Sequence, residues 1–200
     1  RMDGRPTAAQ LQNDYLDKGS QGLRDFAQRR RITGEAIAET LAARPALYVE
    51  ARRCADVLPR VRERAGAALA ELVRLYPPAH RPAVTVAVGR GKPVGIGYPD
   101  TGVQLGLEAL CAIDYFTADI EDRFVYVIAH EYIHVQQAGA LADGETPTVL
   151  RLALLEGAAD FIGELIAGGV AHAHFDALTA GRETEIETRF LADLDNTDLS

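Results

Sequence analysis

The chain has 200 residues, 48% of them hydrophobic and 25% charged, and a net charge of −8. That length supports one domain with a core of its own, or one domain with a helical extension. The acidic balance leaves no electrostatic footprint for nucleic acid or an anionic membrane. The longest apolar run, "LLEGAADFIGELIAGGVA", is broken by Glu156, Asp160 and Glu164, so no segment reads as a membrane span.

Lys18 and Lys92 are the only lysines, a bias attributed to coding rather than to function. The chain opens at Arg1, and an exported protein with its leader removed is preferred over a cytoplasmic one. Cys54 and Cys111 are too few for a disulfide scaffold. Two buried free thiols are the preferred reading. The other is one bridge tying a helical N-terminal half to the sheet region.

Residues 7 to 76 read as mostly helical. "TGEAIAETLAAR" starts at Thr33 with a capping pattern, and Pro45 follows its end. Val57 to Tyr76 reads as a long helix entered through Pro59 and closed by Pro77 and Pro78. Gly19, Gly22 and Gly34 read as breaks between shorter helices. "AVTVAVG", Ala83 to Gly89, is β-branched and reads as a strand. "GRGKPVGIGYPDTG" reads as a loop or wide hairpin. It is not a phosphate-cradling loop, because Pro93 follows Lys92 where Ser or Thr is needed. "VQLGLE", Val103 to Glu108, alternates and reads as a half-buried strand. Two further helices are expected, from about Asp119 to Gln137 and from about Thr148 to Ala167. The second is entered through Thr146-Pro147 and stopped by Gly168-Gly169. There is no internal repeat, and no linker separates residues 1–80 from 81–200.

The informative stretch is "IAHEYIHVQQ", Ile128 to Gln137. A helix turns about 100° per residue, so His130 and His134 project from one face, one turn apart. Two imidazoles so placed can grip one Zn²⁺. Glu131 sits about 100° round from His130, where it reaches a water at the metal and can act as general base. Phe124, Val127, Ile128 and Ile133 are apolar, and unpaired imidazoles in such surroundings are costly. A third ligand must come from elsewhere. Glu156, in "LLEGAADFIGEL", lies 22 residues after His134, and "AGALADGETPTV" is long enough to reverse the chain. Asp160, one turn beyond Glu156, can hold the far nitrogen of a ligating histidine. The bland alternatives are satisfied core histidines and a solvated acidic stripe that Glu164 continues.

"HEYIH" followed by "EGAAD" resembles the gluzincin, thermolysin-like metallopeptidases. More closely, "HEYIHVQQ", "EGAADF" and the upstream "GLE" resemble uncharacterised bacterial zinc-dependent proteases, some related to gliding-motility lipoproteins. The detailed likeness covers about Val84 to Gly169. It implies His130, His134 and Glu156 as zinc ligands, Glu131 as catalytic base and Asp160 as support for a histidine. Two departures stand out. Leu155 precedes the third ligand where thermolysin-like enzymes often carry asparagine, and no motif identifies a downstream histidine that stabilises the transition state.

Weaker candidates surround this set. Val103 to Leu107 is the expected substrate-binding edge strand, with Gln104 and Gly106 beside the substrate and Gly106 permitting close approach. An ordinary strand with a packing glycine is the alternative. His172 and His174 read as capping or surface residues, or as an oxyanion donor. His80 reads as a loop residue. Tyr98, Tyr115 and Tyr132 are further donors that nothing separates. The expectation is an α+β, zincin-like domain: helices over 1–80, then a catalytic part over 81–200 in the same compact unit. The catalytic part is a small, mainly antiparallel sheet with two antiparallel metal-binding helices. The expected activity is zinc-dependent hydrolysis of peptide or protein substrates. A non-catalytic zinc module and a hydrolase of non-peptide amides are the alternatives.

Overall fold

Five helices begin where a short polar side chain can accept the backbone N–H three residues on: Thr7, Ser20, Thr33, Asp119 and Thr148. The computed structural model describes residues 4–137, 139, 146–172 and 174–198. In chain order, α1 (Ala8–Gln10) runs into a wider π-type segment, Leu11–Leu16. Then come α2 (Gln21–Arg30), α3 (Gly34–Ala43), α4 (Pro45–Cys54) and α5 (Leu58–Leu75). Gly22 does not break a helix. It is the second residue of α2, and a Cβ there would lie 2.1 Å from Thr85 Oγ1, so its bareness serves close packing on the sheet.

Strands β1 (Val84–Ala87), β2 (Gly95–Tyr98) and β3 (Gly102–Gly106) form one sheet in the order β1-β3-β2. The sheet is mixed rather than mainly antiparallel. β3 pairs antiparallel with β2, Gly97 opposite Val103, and parallel with β1, Val84 opposite Val103. A strand therefore lies within the stretch expected to be loop. β3 is central and wholly buried, not a half-buried edge, and Leu107 and Glu108 belong to the next helix, α6 (Leu107–Ala112). The polar residues that gave the alternation are themselves interior: Gln104 and Glu108 are each 0% exposed. Glu108 is satisfied there because its carboxylate accepts the N–H of Gly89 at 2.9 Å and of Gly91 at 2.7 Å.

α7 (Ile120–Gln136) packs on this sheet, and α8 (Val149–Ala167) packs on α7. Two short helices follow, α9 (Phe175–Thr179) and α10 (Glu183–Asp193). The main hydrophobic cluster runs from Val61, Leu69 and Leu72 on α5, through Val103 and Leu105, to Phe124, Ile128 and Tyr132 on α7. It crosses residue 80, so both expected parts contribute to one core. Arg64 fixes the start of α7 by pairing with Glu121 at 2.9 Å and Asp122 at 2.7 Å. Cys54 and Cys111 are joined as a disulfide between α4 and α6, with Cα atoms 6.2 Å apart. This corrects the preference for free thiols: α4 packs against α6 and sets the two side chains face to face. The chain reversal expected across 138–149 falls largely outside the described residues.

Candidate metal centre

α7 is buried along one side, and its other side carries the histidine pair. Ala129, Tyr132 and Ile133 face the core, whereas His130, Glu131 and His134 are only partly covered. The one-turn spacing brings the imidazoles together, with His130 Nε2 and His134 Nε2 3.0 Å apart. Glu156 of α8 closes the group, its Oε2 3.3 Å from each of those nitrogens. These three ligand atoms form the His/Glu group able to hold a metal ion among the described residues.

The outer side of each ring is also occupied. His130 Nδ1 lies 2.7 Å from Asp160 Oδ1, as expected from the spacing of Glu156 and Asp160. His134 Nδ1 lies 2.8 Å from Gln137 Oε1, a partner the sequence reading missed. The Gln137 amide nitrogen donates to the Leu155 carbonyl at 2.9 Å, so its oxygen is the atom left for His134. An amide oxygen and a carboxylate only accept. Each Nδ1 therefore carries a hydrogen, and in the neutral rings each Nε2 turns a lone pair inward. Two lone pairs and a carboxylate oxygen facing one point are mutually repulsive without a cation between them.

The electrostatics record that demand. Burial works against charging His130, but the Asp160 and Glu156 carboxylates outweigh it and raise its pKa to about 9. His134 is raised in the same way, with Glu156 and Gln137 overcoming burial. The two imidazoles hold the Glu156 carboxyl well below the usual range. In the metal-free chain a proton thus takes the place that a cation can fill.

Glu131 occupies a different environment. Burial pushes its carboxyl up, while His130, His134 and a hydrogen bond from the Gly97 backbone N–H draw it down. It lines an open cleft of about 470 Å³ together with His130, His134 and Glu156. Gly95, Ile96 and Gly97 of β2 form one wall, and Leu152 and Leu155 of α8 the other. The glycines are required by the approach of β2 to α7. A Cβ on Gly97 would sit 2.1 Å from the Glu131 carbonyl oxygen, and one on Gly95 2.8 Å from Val127 Cγ1.

Among the weaker candidates, Gln104 and Gly106 lie on the buried central strand, away from this cleft, because β3 has a neighbour on both sides. The strand beside the cleft is β2. His172 lies nearby, its ring 6.5 Å from that of His130, but it stacks on Phe175 and does not line the cleft. Burial lowers its pKa. His174 packs against Tyr115 and Phe175. His80 is in a loop, its backbone N–H donating to Gln136 at 2.9 Å. Tyr132 is buried in the core, and the Tyr98 ring carries the Arg29 guanidinium 4.4 Å from its centre. Compared with protein-family models, with curated proteins and with solved structures, the chain matches none.

Proposed function

We propose that the chain is a zinc-dependent metallopeptidase of the gluzincin type, hydrolysing peptide bonds with Glu131 as general base. The observation that carries this reading is the convergence of His130 Nε2, His134 Nε2 and Glu156 Oε2 on one point, 3.0 to 3.3 Å from one another. A tetrahedral ion at 2.0–2.1 Å from its ligands sets ligand-to-ligand edges of about 3.3 Å. Two nitrogens and one carboxylate oxygen, opening on a cleft, are also the donor set of a catalytic zinc rather than a closed structural one. The contacts between α7 and α8 run in falling order, His130 with Asp160, His134 with Glu156, Gln137 with Leu155. That order supports an antiparallel, zincin-like pair of helices.

Bound there, zinc supplies Lewis-acid chemistry, acidifying a water and polarising a carbonyl. Glu131 takes a proton from the attacking water and delivers it to the amine nitrogen as the C–N bond breaks. Asp160 and Gln137 hold the histidine rings in the tautomer that leaves each Nε2 free to ligate. β2 is the edge strand beside the cleft, so an extended peptide adds along Gly95–Tyr98 rather than along β3 as first expected. The test is turnover of a peptide library by wild type and by Glu131→Gln. The variant is expected to keep its metal and lose about 10²–10⁴-fold in rate. Cleavage at the wild-type rate by Glu131→Gln overturns the role of Glu131.

A further inference from the structure

Five cations gather at one place in this acidic chain. Arg29 and Arg30 end α2, Arg31 follows it, and Arg90 and Lys92 lie in the loop between β1 and β2. With Pro93 they line an open cavity of about 320 Å³ that no carboxylate lines. Arg29 is paired with Asp100. Among the described residues no other acid pairs with the five, and the side chains of Arg31 and Lys92 make no hydrogen bond or ion pair. Arg90 donates from Nη2 to the Arg30 carbonyl at 3.1 Å, but its Nε is buried without an acceptor. The buried Glu108 lies behind this loop but forms no ion pair with the group; its oxygens accept the N–H groups of Gly89 and Gly91. A buried N–H lacking an acceptor among unpaired like charges is costly unless an anion completes it.

Backbone conformation adds an independent sign. Arg31 has φ 52°, ψ 46°, and is the only non-glycine residue with positive φ among those described. Helix ends favour glycine in that conformation. Arginine adopts it here at a cost in backbone strain, and it lines the cavity.

We propose that this cavity binds a compact oxyanion, a phosphate-type or carboxylate group, either free or on a larger ligand. Guanidinium forks suit both, and Arg90 stands in the wall with its Nε unpartnered. The site adjoins the cleft wall, because Pro93 lies two residues before Gly95 and Arg29 rests on Tyr98 of β2. A ligand reaching along β2 presents its anionic end here. Oxyanion binding is independent of any metal at the histidines.

The test is a titration with inorganic sulfate and, separately, succinate, against chloride at matched ionic strength, read on the arginine Nε–Hε NMR resonances. Arg90 is expected to shift saturably. A response to sulfate alone identifies the phosphate-type source, and one to succinate alone the carboxylate source. Arg31→Gly and Lys92→Gln should each weaken binding by roughly fivefold or more. The glycine variant relieves strain and the Lys92 side chain has no partner to lose, so both should melt no lower than wild type. Arg52→Gln, on α4, should bind as wild type does. Absence of a saturable shift with both anions, undiminished binding in Arg31→Gly and Lys92→Gln, or equal weakening in Arg52→Gln overturns the proposal.

Discussion

Asp160→Ala removes the acceptor 2.7 Å from His130 Nδ1 and leaves that ring free to turn or to change tautomer. Partners of metal-bound histidines are typically worth 10–100-fold in metal affinity. The Asp160 side chain is 38% exposed, so water screens its charge, and the expected loss is at the low end, about tenfold. Gln137 gives an internal comparison. It holds His134 at 2.8 Å, a similar distance, but as a neutral acceptor. Charge-assisted hydrogen bonds are roughly twice as strong as neutral ones, so Gln137→Ala should cost about threefold, and Asp160→Asn about the same. The assay is zinc competition against a chromophoric chelator at fixed pH. Unchanged affinity in Asp160→Ala, or a larger loss in Gln137→Ala, refutes this reasoning.

Three other outcomes follow from the same geometry. The metal-free His130 titrates near 9 because Asp160 and Glu156 outweigh burial, and a bound metal needs the ring neutral. Zinc affinity should therefore rise at least about tenfold per pH unit from pH 6.5 to 8.5, since the raised His134 must also lose its proton, and flatten above 9, while Glu156 stays ionised throughout; a flat profile contradicts the raised pKa. Gly97→Ala sets a Cβ against the Glu131 backbone and should lower unfolding free energy by about 1–3 kcal/mol, measured in denaturant. A wild-type midpoint would show that β2 does not press on α7. Replacing Cys54 and Cys111 by serine opens a bridge spanning 57 residues and should cost about 4 kcal/mol on the chain-entropy account. Unchanged stability would argue against the bridge.

The helices of the site were legible because their boundaries are written locally. Asp119 and Thr148 cap α7 and α8, and Gly168 ends α8 in the left-handed conformation that glycine favours. The histidine pair, and Asp160 one turn beyond Glu156, followed from helical spacing, whereas Glu156 itself was reached through a chain reversal and the likeness to gluzincins. The sheet was misread because its signals depend on tertiary partners. Alternation made Gln104 and Glu108 look solvent-facing, yet Glu108 is held inside by backbone N–H groups of a distant loop. The glycines of β2 looked like turn residues, whereas they permit contact with α7. Gln137 did carry a signal: an amide one turn beyond His134 can reach its Nδ1.

The central claim is that His130, His134 and Glu156 hold one zinc ion. Metal content of the purified protein by plasma mass spectrometry, wild type beside Glu156→Ala, tests it most directly. The expected result is about one zinc per chain in wild type and loss of it in the variant. A wild-type protein without zinc, and still without it after zinc is added back, would contradict the account and leave the two histidines as hydrogen-bonded side chains on α7.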